Sequence, residues 1–457
     1  MDSVEIRRLF IDHFEDMGYQ SLPRAPMIDP SIPMSFVMSA GLVQVENSLA
    51  KSIKRDGNRY VLVQECFRHF DLEKVGTDDT HLSLFEMPGA FIFGPDGKSG
   101  TVRRMWTLAT SVLGLDKEHI WATYFNGGQV MDDNLPEDIE TRDAWLKSGI
   151  LDNHIVGLGI DKNYWMQGKG IEDVSISKKC GPNTELFYDR GTQRACSENC
   201  KPGCNCGRFV EFSNSLFIYS EVKRDKRFIQ PLENPFTETV IGTERIAMIH
   251  QGSRSVFEID SIKPLITILH QFVRKTIPLG MLIAHERVIA DHLRGLYFLI
   301  ADGAPPPGKD GRARIIKMLI RRVATRLIIL GIDPRLILPE VLDCVSQMVP
   351  ENMREEGCKE QVISFFLSEY ERYSKTIKRG ELKLIQILKE NDGYTLSGPQ
   401  IACLEKQWGI PSLLTAMILQ KLGLPFREDE YKSVLSAANE TKENLTIGRQ
   451  TKCKRIQ

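Results

Sequence analysis

Two arginines, four cysteines and a basic run carry most of the chemical possibilities of this chain. Arg68 follows the apolar run YVLVQECF, and after a charged loop the chain returns as HLSLFEMPGAFIFG with Phe85, Glu86 and Met87. A guanidinium at the mouth of such a hairpin grips a phosphate through its fork, while the acid and aromatic on the returning strand hold a base and ribose. The same pattern also fits an ordinary surface ladder. Further on, in FTETVIGTERIAMI, Gly242 lets the backbone close on a flat ligand where a Cβ would collide, and Arg245 points a permanent cation into the same space. Alone, GTER also reads as a helix start with a surface ion pair. Joined to Arg68, it makes a two-arginine clamp on a triphosphate.

Cys196, Cys200, Cys204 and Cys206 fall within CSENCKPGCNC, with Pro202 and Gly203 forming a tight turn. Four thiols so close in a chain with no secretory signal point to a closed tetrahedral zinc knuckle, with an iron–sulfur centre or a redox pair as alternatives. Cys180 is a spare ligand. The third feature is RARIIKMLIRRVATR, where Arg312, Arg314, Lys317, Arg321, Arg322 and Arg326 crowd one helical window. Such a stripe suits a phosphate backbone, or is a solvated helix face balanced by acids elsewhere. The Asp and His of the upstream ADH fit helix-packing polar pairs equally well.

The elements that position these groups divide the chain in two. At 457 residues, 42% hydrophobic and 26% charged, the composition is that of a globular protein of two or three domains. Residues 2–17 space Ile6, Leu9, Phe10, Phe14 and Met17 helically behind an Asp2/Glu5 capping box. From about 20 to 250, short mixed runs broken by Gly and Pro predict an antiparallel sheet with helices around it. Beyond about 255 the pattern is almost wholly helical, and the last residues, ETKENLTIGRQTKCKRIQ, read as poorly ordered. The fold class is therefore α+β, followed by an all-α region. Lys plus Arg (59) nearly balances Asp plus Glu (60), so any polyanion must meet a local patch. No signal peptide and no membrane-length apolar run is visible, which predicts a cytosolic protein. No P-loop and no nucleophile elbow is present.

In family order, SLPRAPMIDPSIPMSFVMSAGLVQ, the Arg68 hairpin, NYWMQG, CGPNTELFYDRG, EFSNSLF, ETVIGTERI, ERVIADHLR, FLIADG, FLSEYERYSKTIKRGELKL and QWGIPSLLT resemble the alanyl-tRNA synthetases of class II, from residue 1 to about 435. The resemblance implies a class II antiparallel sheet over 1–252, with the Cys-rich insertion at about 190–208, and a helical tRNA-recognition domain over 253–457. It implies an enzyme that activates alanine or another small amino acid with ATP and Mg2+ as the aminoacyl-adenylate, then transfers it to tRNA. Arg68 would hold the α-phosphate and Arg245 the γ-phosphate. Phe85, Glu86, Met87 and Gly242 would surround the adenosine, and Trp165, Asn214, Glu238 and Val240 the amino acid. Arg312, Arg314, Lys317, Arg321, Arg322 and Lys406 would meet the acceptor stem. No editing domain is recognisable, and the oligomeric state stays open between monomer and homodimer.

Departures from the family pattern fall at reading positions. Glu238, Thr239 and Val240 stand where the family has Asp-Thr-Gly, so the carboxylate reaches about 1.5 Å further and a valine occupies space left for a methyl. The loop after Arg68 is about four residues short, with His69 or Lys74 nearest to its family lysine. The family's wobble-pair asparagine falls within PPPGKDG, and its partner aspartate aligns with Lys406. A paralogue passing its acyl group to a small molecule, peptide or carrier protein, or a catalytically weak binding relative, are the competing readings.

Overall fold

The computed structural model describes residues 1–29, 37–38, 40–42, 45, 58–94, 96–168, 175–273, 277–349, 357–391 and 395–437. Much of SLPRAPMIDPSIPMSFVMSAGLVQ and all of the C-terminal tail beyond 437 lie outside the described residues. Among those described, nine strands form one mostly antiparallel sheet in the order β1(20–21), β2(59–67), β3(84–93), β11(230–241), β10(209–222), β9(178–189), β4(120–125), β7(155–158). β8(164–166) also pairs with β9, and β5(128–130) and β6(133–135) form a separate ribbon.

Each face of the sheet has its own cover. The helix α1(3–15) starts where the Asp2 carboxylate accepts the Glu5 backbone N–H at 2.8 Å, and buries Ile6, Phe10 and Phe14. With α2(98–107), α3(139–148) and α4(243–250), it packs on the face carrying Val61, Ala90, Ile92, Leu186 and Ile241. Trp145 on α3 is fully buried there, its indole N–H donating to Thr184 Oγ1 at 2.8 Å. The opposite face carries Phe85, Met87, Val240 and Asn214 and stays concave.

Helices α5(263–272), α6(279–301), α7(311–330), α8(334–348), α9(358–390), α10(398–408) and α11(412–421) follow, and residues 428–437 are helical as well. α6 is buried over most of its length, and its Gly295 lets Phe67 of β2 approach: a Cβ there would stand 2.9 Å from the Phe67 ring. The cluster these helices bury is shared with the sheet half, because Ala25, Met27, Phe67, Leu72 and Leu84 join Leu293, Leu296 and Leu319 in one apolar core. A buried ion network sits beside it. Arg24 donates from Nε to Glu65 at 2.5 Å and from both Nη atoms to Asp302, the aspartate of FLIADG, at 3.0 and 2.6 Å. No described helix is long and apolar enough to cross a membrane.

Candidate active site

Arg68 and Arg245, 177 residues apart, line one cavity of about 390 Å³ on the concave face of the sheet. Arg68 is placed by its backbone, whose N–H donates to the Ser83 carbonyl at 2.9 Å, and its guanidinium lies over the Phe85 ring at 4.9 Å. Among the described residues no carboxylate pairs with it. Arg245 is tethered instead: Nη1 donates to the Glu211 carbonyl at 2.8 Å and to its carboxylate at 3.1 Å. Phe85 and Met87 form one wall, and Asn214, Val240 and Gly242 the other. A Cβ on Gly242 would meet only the aliphatic stem of Arg245, at 3.6–3.8 Å. The protein itself therefore leaves that position room, and any need for glycine there comes from what fills the cavity.

Three predicted residues stand apart. Glu86 points to the other face, as the two-residue period of a strand requires between Phe85 and Met87. There it pairs with Arg7 of α1 at 2.7 Å, while its backbone N–H donates to the buried Glu244 carboxylate. Burial drives the Glu86 carboxyl above its ordinary range; Arg7 opposes this and Glu244 adds to it. Trp165 does not line the cavity but packs on the neighbouring cluster of Phe91, Leu216 and Phe236. Glu238 is buried within the sheet, paired in register with Phe91 and Leu216.

The cavity also holds groups that sequence reasoning passed over. Glu185 and Glu211 are both in its wall, Glu185 accepting from Asn214 Nδ2 at 3.3 Å and Thr123 Oγ1 at 3.4 Å. Burial, then the negative charge of Glu211, raises the Glu185 carboxyl above its ordinary value; Arg245 counteracts only in part. Two acids in one wall beside the two arginines offer oxygens of the kind a hard divalent cation takes, and such a charge would relieve their repulsion. These residues therefore fit Mg2+. Lys74 and His81 from the loop after Arg68 line the cavity too, Lys74 held by Asp71 at 3.0 Å and His81 by Asp78 at 2.5 Å. His69 is not in the lining.

The cysteines converge in the β9–β10 connection. The ligand atoms of Cys196, Cys200 and Cys204 lie within 4.8 Å of one another, and Cys200 Sγ is 3.4 Å from Cys206 Sγ. Sulfurs around tetrahedral zinc sit roughly 3.8 Å apart, given Zn–S bonds of about 2.3 Å, so the cluster fits such an ion. Arg208 closes the loop with a fork onto Asp189, at 2.8 and 2.5 Å. Cys180 is not in the group; it is buried in the sheet, where its sulfur accepts from Tyr164 Oη at 3.5 Å.

Of the basic stripe, Arg314, Lys317, Arg321 and Arg322 line a second, open groove of about 620 Å³ with Arg326, Glu73 and Glu405. Arg312 reaches back to the Asp29 carbonyl at 2.9 Å, and the groove is lined by Glu405 rather than Lys406.

Comparison with known proteins agrees with this architecture. The chain is 32% identical over 444 residues to "Alanine--tRNA ligase" of Desulforudis audaxviator (strain MP104C), covering 96% of this chain and 48% of that protein. It is 31% identical over 457 residues to "Alanine--tRNA ligase" of Alkaliphilus oremlandii (strain OhILAs), covering 98% and 49%. The chain thus spans about half the length of the curated relatives it matches. The apo histidyl-tRNA synthetase structure from S. aureus covers 56% of this chain and 68% of its own at 10% identity, with a TM-score of 0.34, too distant to bear on the site. The family model described as "tRNA synthetases class II (A)" matches residues 5–456, and the chain belongs to that family.

Proposed function

We propose that this protein joins alanine or another small amino acid to ATP as the aminoacyl-adenylate and passes the acyl group to tRNA. The observation that carries the reading is the pair of arginines, one of them with no carboxylate partner among the described residues, facing a single cavity walled by Phe85 and Met87. A cation without an acid partner in a part-closed cavity is a site for an anion, and a second guanidinium in the same lining, though tethered to Glu211, suits the further charge of a triphosphate.

In the reaction, a carboxylate oxygen of the amino acid forms a bond to the α-phosphorus while the bond to the bridging oxygen breaks, and pyrophosphate leaves with its electron pair. Arg68 neutralises the charge that builds on the α-phosphate oxygens, and Arg245 holds the γ-phosphate in line. Phe85 and Met87 enclose the adenosine, and Gly242 makes room for its base. Asn214 and Val240, with Trp165 and Glu238 beyond them, define the amino-acid end. Glu185 and Glu211 would hold Mg2+, which supplies charge neutralisation on the phosphates. Zn2+ on the four cysteines would brace the β9–β10 connection. The α7 groove receives the acceptor stem.

Amino-acid-dependent ATP–pyrophosphate exchange across a panel of small amino acids tests the first step, and acid-precipitable aminoacyl-tRNA the second. Exchange with no amino acid overturns the reading; exchange without charged tRNA transfers the proposal to a different acyl acceptor.

A further inference from the structure

One arginine belongs to both cavities' surroundings. Arg322 lines the α7 groove, yet all three of its nitrogens are engaged toward the adenylation side: Nε with His292 Nε2 at 3.0 Å, Nη1 with the Glu73 carboxylate at 2.5 Å, and Nη2 with the Leu72 carbonyl at 2.7 Å. Since Nε donates, His292 Nε2 accepts, so the ring proton sits on Nδ1, 2.8 Å from Asp291 Oδ2. Both residues are fully buried. The Asp291 carboxylate in turn accepts the Ser83 N–H at 2.8 Å and the Ser83 hydroxyl, and the Ser83 carbonyl accepts the Arg68 N–H. Arg322 thus grips the 68–82 loop at its middle through Leu72 and Glu73, and at its end through His292, Asp291 and Ser83. That loop delivers Arg68, Lys74 and His81 to the ATP cavity.

We infer that Arg322 is a positioning residue for this loop, and that an RNA phosphate entering the α7 groove takes its Nη1 from Glu73 and so loosens, without releasing, the loop over the nucleotide. The inference rests on the reading of the first cavity as the adenylation site. The exchange is favourable on three grounds. Glu73 is 87% exposed against 16% for Arg322, so the acid returns to water at little cost while the guanidinium stays in place on His292 and Leu72. A phosphate accepts from a guanidinium at least as well as a carboxylate does. Arg314, Lys317 and Arg326 stand around the same groove, and Arg326 Nε is buried with no acceptor among the described residues, so anionic charge is attracted there. Arg321 is already neutralised by Glu369 at 2.7 Å, which leaves Arg322 as the member of the stripe whose acid partner belongs to the loop.

The test is hydrogen–deuterium exchange across residues 69–82 in the whole chain, with and without a 12-base-pair RNA hairpin, for wild type and Glu73→Gln. Binding is followed separately by anisotropy. In wild type, saturating RNA should speed exchange in the loop about fivefold; Glu73→Gln should be that fast without RNA and gain less than twofold from it. Because Glu73 is exposed, the variant folds normally. Loop exchange unchanged by bound RNA, absence of RNA binding, or a variant that behaves as wild type in both conditions each overturns the inference. So does a response to polyglutamate that RNA fails to give. None of these readouts needs amino-acid activation, so failure of pyrophosphate exchange would remove the adenylation reading while leaving the linkage between groove and loop to be judged on its own.

Discussion

Replacing Arg68 by alanine separates the cost to folding from the cost to chemistry. The side chain has no acid partner among the described residues, so its removal strands no buried charge. What the fold loses is the contact over the Phe85 ring, worth about 0.5–1 kcal/mol at a partly exposed site. What the reaction loses is a preorganised donor to charge that develops on the α-phosphate, worth about 2.7–4 kcal/mol. At about 1.36 kcal/mol per factor of ten, that is about 10²–10³ in the rate of adenylate formation. Arg68→Lys keeps the charge without the fork and should fall between. The assay is ATP–pyrophosphate exchange with the best amino acid of the panel, alongside thermal unfolding of each variant. A loss under about fivefold with intact folding would refute the assignment of Arg68 to the reacting phosphate, and a large drop in stability would mean that its contacts are structural.

Gly242→Ala places a methyl in the cavity against nothing but the Arg245 stem, so the melting temperature should hold while KM for ATP rises tenfold or more, the usual cost of overpacking being about 1–3 kcal/mol. Because burial and Glu211 raise Glu185, the native state prefers its protonated form. Its contribution to stability should therefore be fully present below the ordinary carboxylate value and be lost as pH rises from there through the elevated one, in a thermal-shift series without Mg2+. Glu185→Gln should flatten that fall and, in the same preparation, cut Mg2+-dependent exchange by about 10²-fold. Cys200→Ser should lose about one equivalent of zinc by metal analysis of the purified protein; an unchanged content would remove the knuckle.

The residues legible from sequence were those whose chemistry sits inside a short run. Arg68, Phe85 and Met87 alternate along one hairpin, Gly242 and Arg245 mark a strand-to-helix turn, and all five face the cavity. Glu86 could have been separated from them by the strand period alone. Glu185 and Glu211 were harder. The β9–β10 register shifts between Glu211 and Ser213, so Glu211 and Asn214 reach the same cavity although a regular strand would send residues three apart to opposite faces. No count along the sequence shows that bulge. The sequence leaves the Asp291 and His292 pair open between function and helix packing; its link to Ser83 and Arg322 spans more than two hundred residues on one side and thirty on the other.

The apolar seam joining Phe67 and Leu84 to α6 makes one core shared by the sheet and the helical half, closed by Gly295 and riveted by Arg24 to Asp302. Cutting the chain near residue 252 would strip the second and third strands of their lining, and the amputated sheet would present a sticky wall to solvent. Nor can the helical half be exchanged for a foreign one like a cartridge. A lineage built on this plan must change what its α7 groove accepts by replacing surface side chains in place, one position at a time.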